Sequence, residues 1–111
     1  MTEQEIIHTI ALTRTPRINL INQHLLVNAL GSATAVFEHR HHILDALPEA
    51  HPALAEALKG MDALLPRAEE ELACAQKSHI RCLGIADQDY PARLRECPDA
   101  PLLLYYLGQS D

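Results

Sequence analysis

The stretch "IADQDYPARLRECPDAPLLLYYLG", residues 85–108, decides the fold class, because its pattern breaks with everything before it. Just upstream, "HIRCLGIAD" is a short apolar run interrupted by Gly84 and ended by Asp87, too brief for a helix and suited to a strand. "YPARLRE" has room for about two helical turns, since Pro98 pushes Cys97 out of the α region. Pro101 then introduces "LLLYYLG", whose continuous apolarity predicts a strand covered on both faces, as in a parallel sheet. Residues 78–111 therefore read as strand, helix, strand: the beginning of an α/β layer whose far edge is open.

Working back from there, residues 1–77 read as five short amphipathic helices. Thr2 and Glu5 form a capping box, and Ile6, Ile7, Ile10 and Ala11 share one helical face. Thr15-Pro16 offers a second start. From it Ile18, Ile21, Leu25, Leu26 and Ala29 keep helical spacing as far as Gly31, a good residue for a helix end. Ser32 caps a third helix with Ala33, Val36, Phe37, Leu44 and Leu47 as its buried stripe, closed by Pro48. A fourth begins near Pro52 and carries Leu54, Ala57, Leu58 and Met61, with Gly60 weakening its end. The fifth has Pro66 in its first turn, Glu69 to Glu71 near the positive end of its dipole, and Leu72 and Ala75 facing inward.

Composition agrees with a mainly α protein. Of 111 residues 48% are hydrophobic and only 4% aromatic, with no Trp, so the core must come from Leu, Ile, Val and Ala. The net charge is -6, and it is unevenly spread. In residues 1–42 Arg14, Arg17 and Arg40 balance Glu3, Glu5 and Glu38. Residues 45–71 hold Asp45, Glu49, Glu56, Asp62, Glu69, Glu70 and Glu71 against Lys59 and Arg67 alone. Such a chain repels phosphate overall, and non-specific nucleic-acid affinity depends on Lys and Arg displacing counterions. The odd cysteines, Cys74, Cys82 and Cys97, form no C-x-x-C pair and are expected as buried thiols in a reducing compartment. No run approaches the roughly 18 apolar residues of a membrane span. "MTEQEIIHTI" is acidic where an export signal is basic, which makes the cytoplasm the expected location.

Tyr90, Pro91, Leu94, Asp99, Pro101, Leu104 and Gly108, in that order, resemble the signature of the DNA-processing protein A family (DprA, also called Smf). There a Tyr-Pro pair, a Leu three residues on, an Asp with a nearby Pro, a Leu and a closing Gly come just before a Rossmann-like domain. "LLVNALGSATAVFE", residues 25–38, resembles that family's Leu-Leu then Phe-Gly-Ser stretch. The resemblance implies a five-helix SAM-like bundle (a degenerate helix-hairpin-helix) followed by a short β-α-β lead-in to a Rossmann-like domain absent from these residues. It also implies a function: binding incoming single-stranded DNA through that downstream domain and loading the RecA recombinase in natural transformation. The helical part would then be auxiliary, and the full-length protein a possible homodimer. The signature residues themselves are unreactive and suit structural roles, with Pro91 stiffening a helix start and Gly108 permitting a turn.

A DNA-gripping hairpin uses a G-x-G turn whose backbone N–H groups approach a phosphate. Here that stretch is "TPRINL", with Arg17 and Asn19 in place of glycines. Arg14, Arg17, Asn19 and Arg40 remain as weak candidates for nucleic-acid contact, against the reading that they balance local carboxylates. His39, His41 and His42 in "EHRHHILD" have helical spacing but no Cys or carboxylate fixed at ligand distance, so no metal and no cofactor is assigned. Adjacent Glu69, Glu70 and Glu71 splay about 100° apart and cannot act as an acid and base pair. With no nucleophile-base spacing and no phosphate loop, an enzyme is not expected. The acidic face 45–71 offers a docking surface for a basic protein partner, which makes an interaction or self-association module the alternative function.

Overall fold

The computed structural model describes residues 2–106. It is mainly helical with a small two-stranded antiparallel sheet. In chain order the elements are α1 (Glu3–Arg14), α2 (Leu20–Leu30), α3 (Ala33–Glu38), α4 (Ile43–Ala46), α5 (Pro52–Leu58), a 3₁₀ segment (Lys59–Leu64), α6 (Leu65–Lys77), β1 (Arg81–Gly84), α7 (Ala92–Arg95) and β2 (Leu103–Tyr106). Among the described residues no helix is long and apolar enough to cross a membrane.

α1 is the centre of the bundle, packed against α3, α6 and the 3₁₀ segment. The expected stripes supply much of the core, with Ile10, Leu26, Val36, Leu58 and Met61 fully buried, and Leu12, outside the stripe expected for α1, is buried with them. Thr2 caps α1 by accepting the Glu5 N–H at 3.1 Å, but the reciprocal half of the capping box does not form. Instead the Glu5 carboxylate crosses to α3, accepting from Ala33 N at 2.8 Å, Thr34 N at 2.9 Å and the Thr34 hydroxyl at 2.6 Å. One side chain of α1 thus satisfies the start of a second helix, since the first N–H groups of α3 have no partner within their own helix.

Thr34 hands the network on to His8, which is 4% exposed. Because the Thr34 hydroxyl donates to Glu5, it must accept from His8 Nδ1–H, 2.9 Å away, and His8 Nε2 then accepts from the Gln4 amide at 3.1 Å. That pattern suits a neutral imidazole. Its ring lies stacked on Phe37 with centroids 4.4 Å apart, and the Arg40 guanidinium sits 3.8 Å from the Phe37 centroid. Desolvation holds the His8 pKa below its ordinary 6.5; the Glu5 and Glu38 carboxylates pull it up, and Arg40 adds to the lowering. A depressed histidine pKa means the unfolded chain takes up the proton first. The stability it contributes is therefore complete above pH 6.5 and lost as pH falls from there through the folded-state value. Urea unfolding between pH 7.5 and 5 is expected to show this loss in the wild type. It should shrink in His8→Asn, which keeps an amide donor for Thr34 but cannot titrate; equal pH slopes in the two proteins would refute it.

Several expectations are corrected. α2 starts at Leu20 and not at Pro16, because Asn19 caps it by accepting Asn22 N at 2.8 Å, while the Thr15 hydroxyl turns back to Ala11 O at 2.7 Å and closes α1. Gly31 ends α2 as expected, at φ +104°, where a side chain would be strained. The third helix breaks in two at residues 39–42. Ala35 O still accepts His39 N at 3.1 Å, but the next turn tightens: Arg40 N and Arg40 Nη1 both donate to Phe37 O, at 3.2 and 2.7 Å, the carbonyl a continuing helix would have offered to His41 N. Leu44, expected inside, is exposed. So are Ile21, Leu25 and Ala29 of α2, while Gln23 of the same helix is buried. Cys74 and Cys97 are exposed free thiols; only Cys82 is partly covered, and burial pushes its pKa up.

The parallel sheet is also overturned. β1 and β2 pair antiparallel, Arg81 with Tyr106 and Gly84 with Leu103. The connection, residues 85–102, is long enough for a crossover, but its helix α7 has only four residues and does not run back along β1. The connection instead closes on itself: Ile85 N donates to Leu102 O at 2.9 Å, and the Arg95 guanidinium donates to the carbonyls of Ile85 and Asp87 at 2.8 and 2.6 Å. β2 therefore returns beside β1. Nor is β2 covered on both faces, since Tyr105 and Tyr106 are 44% and 48% exposed, although Leu102 just before it joins the helical core at 3%.

Candidate interaction surfaces

Two of the three candidate arginines are already occupied. Arg14, at the end of α1, forms a two-pronged pair with Glu71 of α6, its Nη2 and Nε lying 3.0 and 3.2 Å from the two carboxylate oxygens. Glu71 also accepts from the Tyr105 hydroxyl at 3.1 Å and from Arg67 at 3.4 Å. The Arg14 hydrogen bond holds the Glu71 carboxyl below its usual range, while desolvation and the neighbouring carboxylate push the Tyr105 hydroxyl up to about 12. Arg40 pairs with Asp62 of the 3₁₀ segment at 2.9 and 3.1 Å, and this bond lowers the Asp62 pKa. A guanidinium committed to a carboxylate in this way has little left for a phosphate.

Arg17 is exposed, at φ +70° in the α1–α2 link, and makes no ion pair with any described residue. Asn19 spends its side-chain oxygen as the α2 cap. The structure thus places Arg14, Arg17 and Asn19 around one helix link, and puts Arg40 elsewhere, beside the 3₁₀ segment. His39 and His42 lie with ring centroids 5.4 Å apart, and His41 Nε2 is 3.4 Å from Asp62. No group of three or more His, Cys, Asp or Glu converges among the described residues.

The signature residues sit inside the C-terminal unit. Tyr90 is 2% exposed and its hydroxyl donates to Pro101 O at 2.6 Å, joining the loop after β1 to the entry of β2. Pro91 precedes α7, Leu94 lies half-buried upon it, Asp99 is exposed, and Leu104 pairs with Leu83. Gly108 lies outside the described residues. His24 Nε2 is hydrogen-bonded to Ala100 O, which fastens the unit to α2.

The acidic stretch is partly neutralised by the chain itself, Asp62 by Arg40, Glu71 by Arg14 and Glu56 by Lys59 at 3.5 Å. Asp45, Glu49, Glu69 and Glu70 make no ion pair with any described residue. The surface that sequence reasoning missed is apolar. Leu25 and Ala29 of α2, with Leu47, Pro48, Ala50 and Leu54, line a groove of about 550 Å³. The available signal was that "LINQHLLVNAL" carries apolar residues on more than one side, with Ile21, Leu25 and Ala29 forming a second stripe beside Leu26 and Leu30 and only Asn22, Gln23, His24 and Asn28 set between them. A helix of that kind is buried on more than one side. Comparisons of the chain with protein-family models, with curated proteins and with solved structures return no match.

Proposed function

We propose that this chain is the helical N-terminal module of a DNA-processing protein of natural transformation, and that its bundle works through protein contacts and does not grip DNA. The family half of this reading rests on the resemblance carried by the stretch from Tyr90 to Gly108, and the protein-contact half on the fate of the charges: Arg14 and Arg40 are held by Glu71 and Asp62, while α2 turns Ile21 and Leu25 outward. In this proposal the bundle is a SAM-like, degenerate helix-hairpin-helix. β1, α7 and β2 lead into a Rossmann-like domain that binds single-stranded DNA and meets the RecA recombinase. The exposed ring of Tyr105 is a poor stacking platform, since its hydroxyl is tied to the Glu71 carboxylate, which repels phosphate. Two exposed free thiols, Cys74 and Cys97, suit a cytoplasmic setting.

The test is fluorescence anisotropy with a labelled oligothymidylate at physiological salt. Residues 1–111 are expected to bind no tighter than the non-specific range of about 10⁻⁴ to 10⁻⁶ M. Nanomolar binding that survives raised salt would overturn the reading.

A further inference from the structure

We infer that the groove between α2 and residues 47–54 receives one face of a basic amphipathic helix from a partner protein. The inference rests on the reading of the bundle as a protein-contact module, and it names the contact face and the partner's chemistry. α2 presents Ile21 at 64% and Leu25 at 50% exposure while Gln23 on its other side is buried at 5%. Exposing two large aliphatic side chains while burying an amide is unfavourable for an isolated domain, and it is relieved if the outward face is covered in the working state. Ile21, Leu25 and Ala29 stand at i, i+4 and i+8, a stripe of about 12 Å or two helical turns. Leu47, Ala50 and Leu54 form the opposite wall of the groove.

Charge chooses the occupant. The groove lining holds no Lys or Arg; its ionisable members are Glu49 and His51, and the His51 Nδ1 is engaged as the cap of α5, accepting Ala53 N at 3.0 Å. Glu49, and Asp45 on the adjoining α4, make no ion pair with any described residue. A second copy using the same face would set these carboxylates against their own equivalents, because a two-fold interface brings one patch onto itself. Another face of a second copy serves no better. α1 has Glu3 and Glu5 in its first turn and its Arg14 is paired with Glu71, α6 carries Glu69, Glu70 and Glu71 with its Arg67 also turned to Glu71, and α7 is only four residues long. A helix with Leu-type side chains at i, i+3, i+4 and i+7, flanked by Lys or Arg, fits both the stripe and the rim. The contact is small, so the complex belongs to the weak, transient class, with Kd on the order of 10 µM.

The probe is a blocked 18-residue peptide of Leu and Lys carrying that spacing, titrated into the ¹⁵N-labelled chain and followed by amide shifts. Its counterpart with Glu for Lys is the control. The expected shifts fall on Leu25, Ala29, Ala50 and Leu54. Affinity should drop at least tenfold with the Glu peptide and in Leu25→Ser, fall a few-fold in Glu49→Gln, and stay unchanged in Glu70→Gln on α6. Leu25 is half exposed, so its Ser variant should keep the wild-type melting temperature within a few degrees; Ile21→Ser provides a second variant on the same stripe. Shifts confined to the α6 carboxylates, or no binding at all, would overturn the inference. So would a concentration-dependent dimer of the free chain, seen in sedimentation and abolished by Leu25→Ser, which would make a second copy the occupant. A flat peptide titration beside weak oligothymidylate binding sinks the groove alone, whereas tight oligothymidylate binding sinks the protein-contact reading itself.

Discussion

Replacing Glu5 with Ala is expected to destabilise the chain by about 3 kcal/mol, read as a shift of the urea midpoint at unchanged m. Intrinsic helix propensity works the other way, because Ala favours α1 more than Glu does. The loss comes from the far end of the side chain, where the carboxylate accepts from Ala33 N, Thr34 N and the Thr34 hydroxyl. Ala33 is 1% exposed, so its N–H finds no water when the carboxylate goes. Ser32 does not substitute, since its hydroxyl is already taken by Ala35 N at 3.0 Å. The Thr34 hydroxyl also loses its acceptor and with it the orientation that receives the His8 proton, so the deletion reaches Gln4 and the Phe37 stack. Glu5→Gln keeps one carbonyl oxygen and should cost about 1 kcal/mol. Glu3→Ala, two residues away on the exposed surface, should stay within about 0.5 kcal/mol although it removes the Gln76 contact. Equal losses in Glu5→Ala and Glu3→Ala would show that the crossing cap contributes nothing.

The same carboxylate explains what the sequence could and could not disclose. Local rules predicted the Thr2 cap, the Ser32 cap and the Gly31 stop, because each depends on atoms within four residues. Helical periodicity likewise identified Ile10, Leu26, Val36, Leu58 and Met61 as core. It failed wherever a partner distant in sequence outbid a local one. Glu5 left its own helix for α3, 28 residues on, and Arg40 left a continuous third helix for Asp62, 22 residues on. Periodicity also cannot choose between two apolar stripes on one helix. α2 had both, and the stripe assigned to the core was in part the one facing out. Strand direction was lost for a different reason: apolar content is the same for a parallel strand and for a returning one. What decided it was the closed loop made by Arg95 and the Ile85–Leu102 bond, which no pattern of hydrophobicity encodes. Of the candidate contact residues, the arginines were legible as charges but not as pairs, since Glu71 and Asp62 lie on other elements.

Tyr90→Ala is expected to cost about 4 kcal/mol, the largest effect of any change considered, and to release the C-terminal unit before the helices. The ring is covered on all sides, so truncation leaves a cavity that the short loop cannot fill. The hydroxyl bond to Pro101 O is lost as well, and the Arg95 guanidinium, 5.6 Å from the ring centroid, loses its aromatic support. Tyr90→Phe separates these contributions: it keeps the packing, removes only the 2.6 Å bond, and should cost about 1 kcal/mol. Amide hydrogen exchange tells where the loss falls. Opening of β1 against β2 should become much cheaper in Tyr90→Ala, with amides of Leu83 and Leu104 losing protection ahead of those in α1. Leu102 limits the separation, because it belongs to the helical core and the unit cannot swing away without uncovering it. If α1 and β2 lose protection together, the sheet and the bundle unfold as one cooperative body. In either event the change should leave oligothymidylate binding by this chain within the non-specific range. A tyrosine only 2% exposed cannot stack on a base, and its work is to hold the strand that follows it.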